Sequence, residues 1–495
     1  MRLHRPPPIS LCSLLVVTLA LLTAGRGTAQ KKPNIVFIYA DDLGYAELGC
    51  YGQKKIRTPH LDRIAREGIR FTDYYTSTPV CAPSRCQLLT GTHAGHSYIR
   101  GNFELGGFAD SSERGQMPLP PNTRTIGTLL QKEGYQTACI GKWGLGMGSN
   151  TGDPNRQGFH YFYGYYDQKQ AHNYYPTHLW ENGKWDTLNN PVIDVHRKLD
   201  PRTARPEDFD YYRGKDYAID KMTEKALKFV RDNRDRPFFL YLPFTIPHAS
   251  LQAPEEVVKE YVGQFDEKPY YGDKNYASTP YPRSTYAAMI TYMDRKVGEV
   301  MALLKELGLD DNTLVIFTSD NGTTFNGGTD PNFFNSVGGF RGLKMDVYEG
   351  GVRMPMVARW PGKIPAGTTT AHVGIHYDVP ATLLEAAGGK PVETDGISFL
   401  PTLLGREKNQ KKHEYIYWEY PEKGGQLAVR MGRWKGVKTD LRANRVARWQ
   451  LFDLEKDPGE TTDLAPAHPA ITARFDAIVR KEHQPSPVEA WRFLE

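Results

Sequence analysis

Hydrophobic residues along this chain occur partly as short continuous runs and partly at helical spacing. Residues 34–40 form an apolar run rich in strand-forming side chains, and residues 238–244 and 313–318 form two more, which predicts buried parallel strands. Residues 136–140 are a weaker example of the same pattern. Residues 286–304 place hydrophobic side chains three and four positions apart, which predicts an amphipathic helix. Strands that alternate with helices predict an α/β fold, with helices on both faces of a mostly parallel sheet.

Residues 150–215 lack this periodicity and are rich in Tyr, Asn, Gly and Trp. Their aromatic segments, residues 161–166 and 174–175, are predicted to form long loops over the sheet. Two roles are open for such loops. The aromatic rings stack against sugars, or they pack as an ordinary layer over the sheet.

The pattern changes again after residue 396. Short alternating segments bounded by turns predict a small antiparallel sheet, with strands at residues 415–418, 428–430, 434–437 and 449–452. A helix is predicted after them at residues 470–479. We therefore place a domain boundary near residue 400, between a main domain of residues 30–400 and a C-terminal α+β subdomain of residues 401–495.

The N-terminus carries the pattern of a secretory signal peptide. Arg2 and Arg5 precede an apolar stretch at residues 11–22, and small residues follow up to Ala29. We expect residues 1–29 to be removed and the protein to be exported, either to a periplasm or out of the cell. The alternative is an uncleaved anchor, but the stretch is shorter than a membrane span, so no stable membrane insertion is expected.

Composition and charge exclude several classes of protein. The chain has 495 residues, of which 39% are hydrophobic and 24% charged, which excludes a disordered or fibrous protein. Loss of residues 1–29 removes Arg2, Arg5 and Arg26 and no acidic residue, so the net charge falls from +5 to +2. A nearly neutral chain without a basic run excludes nucleic acid as a partner. The five cysteines are too few for a disulfide scaffold, and they contain no Cys-x-x-Cys pair typical of a zinc ribbon.

Polar side chains collect where the predicted strands end. These ends carry two adjacent carboxylates, a lysine, a histidine and an Asp-Asn pair, namely Asp41, Asp42, Lys142, His248, Asp320 and Asn321. Because ligands of open parallel sheets bind beyond the carboxyl ends of the strands, we expect these side chains to share one site. Oxygen ligands without a thiolate favour Ca²⁺ or Mg²⁺. The alternative is that the Asp residues are turn formers or helix caps.

Cys81 opens the segment Cys-Ala-Pro-Ser-Arg, which predicts the start of a helix. Pro83 suits a first helical turn and Gly91 can end the helix, so Cys81 is expected at an N-terminus that favours an anion. This arrangement predicts a nucleophile facing an anionic substrate. Three alternatives remain: a phosphatase thiolate, a disulfide to Cys86, and a buried structural cysteine. Tyrosine phosphatases carry Arg six positions after the cysteine, whereas this chain has Gln87 there.

The same segment resembles the Cys-x-Pro-Ser-Arg signature of the type I sulfatases of the alkaline phosphatase superfamily. In that family the cysteine is oxidised to formylglycine. Further motifs that resemble the family occur in family order across nearly the whole mature chain: Asp41-Asp42, Gly134–Thr137 leading to Gly141–Trp143, His248, Ser319–Gly322, Lys344 and Tyr348–Arg353.

The resemblance implies a fold, a cofactor, a substrate and a partner. It implies an alkaline-phosphatase-like sandwich with a smaller C-terminal sheet domain. It also implies a bound Ca²⁺, with Mg²⁺ less favoured, held by Asp41, Asp42, Asp320, Asn321 and the modified Cys81. The implied substrate is a sulfate ester, for which we expect a sulfated saccharide. The implied partner is a formylglycine-generating enzyme.

The family mechanism assigns roles to the remaining polar residues. One hydroxyl of the hydrated aldehyde attacks sulfur, and the other then loses a proton and expels sulfate. Arg85 and Lys142 would hold this diol, and Lys344 would offset the charge on the sulfuryl group. His248 would protonate the leaving oxygen.

One motif departs from the family. The second signature usually continues Lys-Trp-His, but here Gly144 follows Trp143, so the base for sulfate release is missing from its usual place. We hypothesise that His172 contacts the site instead, as a base or as a substrate ligand. Arg100 and Asn102 are predicted either to bind sugar hydroxyls or to form a structural turn. Two other functions stay open: a phosphodiesterase or phosphonate hydrolase of the same superfamily, and an inactive protein that binds sulfated glycans.

Overall fold

The computed structural model describes residues 31–110 and 112–495, together with Met1 and His4. The predicted signal peptide therefore lies almost wholly outside the described residues. Residues Pro33–Glu495 form one compact unit. Within the described residues, no helix is both long and apolar enough to cross a bilayer.

A large mixed sheet forms the centre of this unit. Within the described residues it has eleven strands in the order β12-β2-β11-β10-β1-β9-β5-β6-β7-β8, and β13 also pairs with β2. The strands of this sheet are β1 (Asn34–Asp41), β2 (Ile69–Tyr75), β5 (Gln136–Lys142), β6 (Tyr161–Tyr165), β7 (His178–Glu181), β8 (Lys184–Thr187), β9 (Phe238–Pro247), β10 (Thr313–Ser319), β11 (Arg353–Arg359), β12 (Thr368–Thr370) and β13 (Gly374–Ile375). A separate two-stranded ribbon pairs β3 (Phe108–Ala109) with β4 (Ser112–Glu113).

The four predicted core strands are present and parallel. Strand β1 lies between β10 and β9, and β5 continues the parallel set beyond β9. All eight residues of β1 are buried. Its alternate side chains face two different cores, with Val36 and Ile38 on one side and Ile35 and Phe37 on the other. A strand with apolar neighbours on both faces needs a continuous apolar run, which confirms the predicted α/β fold.

Helices cover both faces of the sheet, as predicted. The helices of the described residues are α1 (Pro59–Arg66), α2 (Cys81–Thr90), α3 (Ile126–Lys132), α4 (Ala218–Asp232), α5 (Glu255–Lys259), α6 (Pro282–Glu306), α7 (Pro331–Phe334), α8 (Glu349–Val352), α9 (Val379–Ala386), α10 (Leu400–Leu403) and α11 (Pro469–Glu482). Short 3₁₀ turns occupy Gly49–Tyr51, Gln170–His172, Pro206–Tyr212, Asp310–Asn312, His376–Asp378, Glu407–Asn409, Ala465–Ala467 and Glu489–Trp491. The long predicted helix is α6, which packs on one face with α1 and α4, while α2, α3 and α9 pack on the other.

The prediction of loops in the aromatic region is wrong for residues 161–165. Tyr161–Tyr165 forms strand β6, which pairs in parallel with β5. Four of the five residues of β6 are buried, so its aromatic side chains fill core on both faces rather than cover the sheet from outside. Tyr174 does lie in a loop, but it is also buried, and its hydroxyl donates to the backbone oxygens of Thr245 and His248. Both aromatic segments therefore pack inside the protein.

The C-terminal region contains the predicted antiparallel sheet. Its strands pair in sequence order and are β14 (Ile416–Tyr420), β15 (Gln426–Met431), β16 (Trp434–Lys438) and β17 (Gln450–Asp453). Helix α11 packs on one side through Phe475. On the other side the fully buried Lys435 lies between the carboxylates of Glu349 and Glu460, 2.9 and 3.0 Å away. This ion cluster joins the small sheet to α8; the boundary near residue 400 stays a prediction.

Candidate active site

The carboxyl ends of the parallel strands meet as the sequence predicts. Strand β1 ends at Asp41, β5 ends at Lys142, and His248 directly follows β9. Asp320 and Asn321 directly follow β10. All of these side chains are buried. Asp42 adopts a left-handed backbone conformation (φ 65°), an unusual state for a residue other than glycine and one that functional sites often hold.

Each of three buried carboxylates lies beside its own cation. The Lys142 ammonium donates to Asp41 at 2.7 Å. The Lys344 ammonium lies 2.8 Å from Asp42.

The Arg85 guanidinium donates to Asp320 at 2.7 Å and lies 3.6 Å from Asp41. Such pairing is required here, because an isolated carboxylate in the interior would take up a proton instead of staying ionised.

Some acceptor oxygens of this site are left without a hydrogen-bond donor. The Oδ1 atoms of Asp41 and Asn321 are both buried without a hydrogen-bond partner among the described residues. Burial and the neighbouring Asp41 raise the pKa of Asp320 to about 7. Although burial opposes it, Lys142 holds the pKa of Asp41 well below its usual range. Buried carboxylate and amide oxygens without a donor fit a hard divalent cation, so the donor set is suited to Ca²⁺ or Mg²⁺.

Cys81 lies next to these oxygens at the first position of α2. Its sulfur is 3.5 Å from the Lys344 ammonium. The nearest ligand atoms of Asp41, Asp42, Cys81 and His248 all lie within 4.8 Å of one another. Cys81 and Cys86 are both free thiols, so the disulfide alternative is wrong. Burial raises the pKa of the Cys81 thiol to about 12, which leaves almost no thiolate at neutral pH and argues against a phosphatase-type thiolate.

The other residues of the Cys-Ala-Pro-Ser-Arg segment hold the site together. The Ser84 hydroxyl donates to the backbone oxygen of Asp320 at 2.7 Å. The Arg85 guanidinium donates to the backbone oxygen of Lys142 at 2.9 Å as well as to Asp320. Together with the pair of Arg85 and Asp41, these contacts let one turn of helix link three strand ends. The side chains that do so lie three and four positions after the nucleophile candidate.

His248 faces the carboxylates with its Nε2 atom, 3.7 Å from Asp42. Its Nδ1 atom contacts the backbone oxygen of Ala249, which accepts the Nδ1 proton and leaves Nε2 as the acceptor in the neutral ring. Burial, reinforced by Lys344, lowers the pKa of His248 to about 4. An anionic group bound beside the ring would raise this pKa again, because opposite charge favours the protonated form.

His172 lies against His248, as hypothesised from the missing motif histidine. The two rings stack in parallel with centroids 5.1 Å apart. The Nδ1 atom of His172 is buried without a hydrogen-bond partner among the described residues. Gly144 has a left-handed backbone (φ 75°), and a Cβ there would lie 2.9 Å from the Gln168 side chain. Gln168 thus fills the space next to Gly144, and the nearest imidazole to His248 comes from a different loop.

Two predicted sugar-binding residues have other contacts. Arg100 is 2% exposed and donates to Glu419 at 2.9 Å, and also to the backbone oxygens of three other residues, Gly95, Ser97 and Gln484. These contacts contradict the predicted substrate role and favour the structural alternative. The side-chain oxygen of Asn102 accepts from the backbone nitrogen of Ala82 at 3.0 Å, so Asn102 positions the start of α2.

Some residues near the site could not be found from their spacing. Buried Glu47 accepts from Tyr286 at 2.6 Å, and burial raises its pKa to about 7. Tyr276 and His196 lie at the outer side of His172, with ring centroids 5.0 and 5.6 Å from it. Both residues belong to loops without a recognisable motif, so the sequence offers no signal beyond the ring-bearing residue itself.

The chain is similar to known proteins in sequence and in structure. The family model described as Sulfatase matches residues 33–389, and the model described as N-sulphoglucosamine sulphohydrolase, C-terminal, matches residues 342–481. Arylsulfatase A of Homo sapiens is 33% identical, covering 90% of this chain and 86% of that protein. N-acetylgalactosamine-6-sulfatase of Mus musculus is 30% identical, covering 96% and 90%. The crystal structure of Ps i-CgsB in complex with k-i-k-neocarrahexaose aligns with a TM-score of 0.74 at 29% identity, covering 92% of this chain and 94% of that chain.

Proposed function

The chain belongs to the sulfatase family and is therefore a sulfuric ester hydrolase, and from this premise we propose that it removes sulfate from a sulfated saccharide. The observation that carries the proposal is the buried group of three carboxylates and three cations around Cys81. A saccharide is supported by the mouse relative, which is named for an amino-sugar sulfate, and by the complex of Ps i-CgsB with neocarrahexaose.

We further propose that Asp41, Asp42, Asp320 and Asn321 bind Ca²⁺ together with an oxygen of residue 81. The partnerless Oδ1 atoms of Asp41 and Asn321 support this ligand set. When bound, the ion would supply positive charge next to the sulfuryl group. Lys344 would then turn from Asp42 toward the substrate, where its ammonium offsets charge that develops on the sulfuryl oxygens.

The proposed nucleophile is formylglycine made from Cys81 by a formylglycine-generating enzyme. The pKa of about 12 supports this, because an unmodified thiol of that acidity is a weak nucleophile at neutral pH. The hydrated aldehyde would supply one oxygen for attack on sulfur and a second for sulfate release. Arg85 and Lys142 lie on the two sides of Asp41 and would orient these oxygens.

Proton transfer is assigned to the two stacked histidines. His248 would take up a proton at Nε2 when the sulfate anion binds, and would give it to the leaving sugar oxygen. His172, with its partnerless Nδ1 atom, would act as the base for sulfate release or as a ligand of the sugar. We also propose that the protein is exported after removal of residues 1–29, which N-terminal sequencing of the protein recovered outside the cytoplasm would test.

The experiment is sulfate release from a panel of monosulfated sugars by protein co-produced with a formylglycine-generating enzyme. We expect release that Cys81→Ala abolishes and that a Ca²⁺ chelator abolishes reversibly. Peptide mass spectrometry of residue 81 confirms the aldehyde. With the aldehyde present, faster cleavage of a phosphodiester or phosphonate would replace the sulfatase proposal. Binding of sulfated glycans without any release would point to the inactive alternative.

A further inference from the structure

A short loop before α6 brings one tyrosine to the rim of the proposed active site. Residues 270–279 are closed by an antiparallel bridge between Tyr270 and Thr279. Within the loop, the backbone nitrogen of Lys274 donates to the Tyr270 hydroxyl at 3.0 Å, and that of Ala277 donates to Ser250 at 3.3 Å. These contacts fix the loop against the segment that follows His248, and they hold Tyr276 in between.

The backbone of this loop adopts conformations that cost free energy. Asn275 and Tyr276 have φ values of 63° and 67°, two successive left-handed residues without a glycine. For a bulky aromatic residue such a conformation is rare and unfavourable, so the rest of the structure must hold it in place. In this conformation the Tyr276 ring lies 5.8 Å from the ring of His248, measured between centroids.

A second loop leaves room for that ring. Gly327 follows the proposed metal ligands of β10 and is itself left-handed (φ 65°). A Cβ on Gly327 would lie 2.5 Å from the Cβ of Ala249 and 3.1 Å from the ring of Tyr276. Glycine therefore lets this loop close around Tyr276, which makes the tyrosine part of the wall of the site.

Three imidazoles surround the Tyr276 ring. Its centroid lies 5.0 Å from His172, 5.4 Å from His196 and 5.8 Å from His248. The ring of His172 is nearly perpendicular to it, with an interplanar angle of 79°. His248 is buried, His172 and Tyr276 are half-buried, and His196 is exposed. The four rings thus form a continuous aromatic wall from solvent to the reaction centre.

The Tyr276 side chain also carries a hydroxyl. It makes no hydrogen bond with any of the described residues, whereas the hydroxyls of Tyr174 and Tyr286 are both bonded. Burial raises the pKa of Tyr276 to about 12, and the charges that act on it most are Lys344 and Asp42. The hydroxyl is therefore available to a polar group of a ligand bound beside these rings.

We propose that Tyr276 binds the sugar ring that carries the sulfate ester and selects for it. This inference rests on the proposed function and names the part of the substrate that this wall recognises. Sugar rings have apolar C–H faces that pack on aromatic rings, and hydroxyls that need a polar partner at the rim. Tyr276 offers both, and His172 and His196 extend the same surface outward.

The test compares a sugar substrate with a substrate that lacks the sugar. N-acetylgalactosamine 6-sulfate and 4-nitrophenyl sulfate are turned over by the modified enzyme and by Tyr276→Ala, Tyr276→Phe and Tyr281→Ala. Tyr281→Ala is the control because it removes an exposed ring five positions away. For Tyr276→Ala we expect kcat/KM to fall at least tenfold more for the sugar than for the aryl sulfate, mainly through KM. Tyr276→Phe, which keeps the ring and the fold, should show about a threefold difference.

A binding measurement separates this inference from the proposed function. Calorimetry with N-acetylgalactosamine 6-sulfate on Cys81→Ser protein, which does not turn over, should show affinity at least tenfold weaker when Tyr276→Ala is added. If the parent protein binds and cleaves the sugar, but Tyr276→Ala changes both substrates equally or neither, the inference is wrong and the proposed function stands. If the parent neither binds nor cleaves any sulfated sugar, both are wrong.

Discussion

Two groups of histidines and carboxylates in this molecule look alike by distance and differ in chemistry. In the strand-end cluster, the nearest ligand atoms of Asp41, Asp42, Cys81 and His248 lie within 4.8 Å of one another. In the histidine clasp, the same is true of His93, His96 and Glu482. Each group also has a stacked imidazole partner: His172 lies 5.1 Å from His248, and His93 lies 4.0 Å from His96.

Hydrogen bonding distinguishes the two. In the clasp, His93 accepts from the Gly95 backbone nitrogen through Nδ1, so its Nε2 proton is donated to Glu482 at 3.0 Å. His96 contacts Asp395 through Nδ1 at 3.0 Å. A neutral His93 with both nitrogens engaged has no lone pair for a metal. The strand-end cluster instead keeps unpaired oxygens, so free lone pairs rather than proximity distinguish the proposed metal site.

The largest expected effect comes from removing one carboxylate from each group. Asp320→Asn should lower kcat at least about 1,000-fold and weaken Ca²⁺ binding, because a proposed ligand and the partner of Arg85 are both lost. Glu482→Gln, the matched change in the clasp, should leave kcat within about threefold. Sulfate release and calorimetric Ca²⁺ titration measure the two effects. Equal losses in both variants would contradict the distinction between the groups.

The stacked histidines provide the next contrast. His172→Ala should lower kcat about 100-fold or more, since we assign it to proton transfer or to the sugar. His96→Ala removes an imidazole from the other stack and should leave kcat within about threefold. Steady-state kinetics of both variants on one sulfated sugar measures this difference. Unchanged kcat and KM in His172→Ala would rule out both roles proposed for this residue.

In the clasp we expect substitutions to affect the stability of the fold rather than catalysis. Glu482→Ala leaves the Nε2 proton of His93 and the Tyr415 hydroxyl without their acceptor, which should cost about 1–3 kcal/mol of unfolding free energy. Glu482→Gln keeps one acceptor oxygen and should cost less. Denaturant unfolding measures both variants. A loss of catalytic activity in folded Glu482→Ala protein would show that the clasp contributes to the reaction.

The smallest expected effect is a pH dependence of stability at the clasp. The hydrogen bond to Asp395 raises the pKa of His96 above its ordinary value. Because the folded state favours the protonated ring, this contribution is complete below about pH 6.5 and is lost as the pH rises through the raised pKa. His96→Gln should flatten the unfolding free energy across that interval. A slope unchanged by the substitution would assign the pH dependence to another group.

Local sequence was sufficient to predict those strands and helices whose apolar pattern follows directly from the faces that they bury. A strand such as β1, with core on both faces, must be apolar throughout. Helix α6 must carry apolar side chains every three to four residues. The Cys-Ala-Pro-Ser-Arg segment was equally informative, because one helical turn fixes the distances between Cys81, Ser84 and Arg85. The strand-end residues could be grouped because parallel strands share one edge.

Residues whose role depends on distant partners could not be assigned in this way. For Arg100 the sequence left sugar binding and a structural turn open, and only the contact with Glu419, 319 positions away, favours the structural role. Strand β6 resembled a loop because its aromatic composition says nothing about which neighbours bury it. Tyr276 acquired its position from an unusual backbone conformation and from three imidazoles on separate segments. Patterns along the chain report local geometry, whereas burial, pairing and free lone pairs arise only when remote segments pack together.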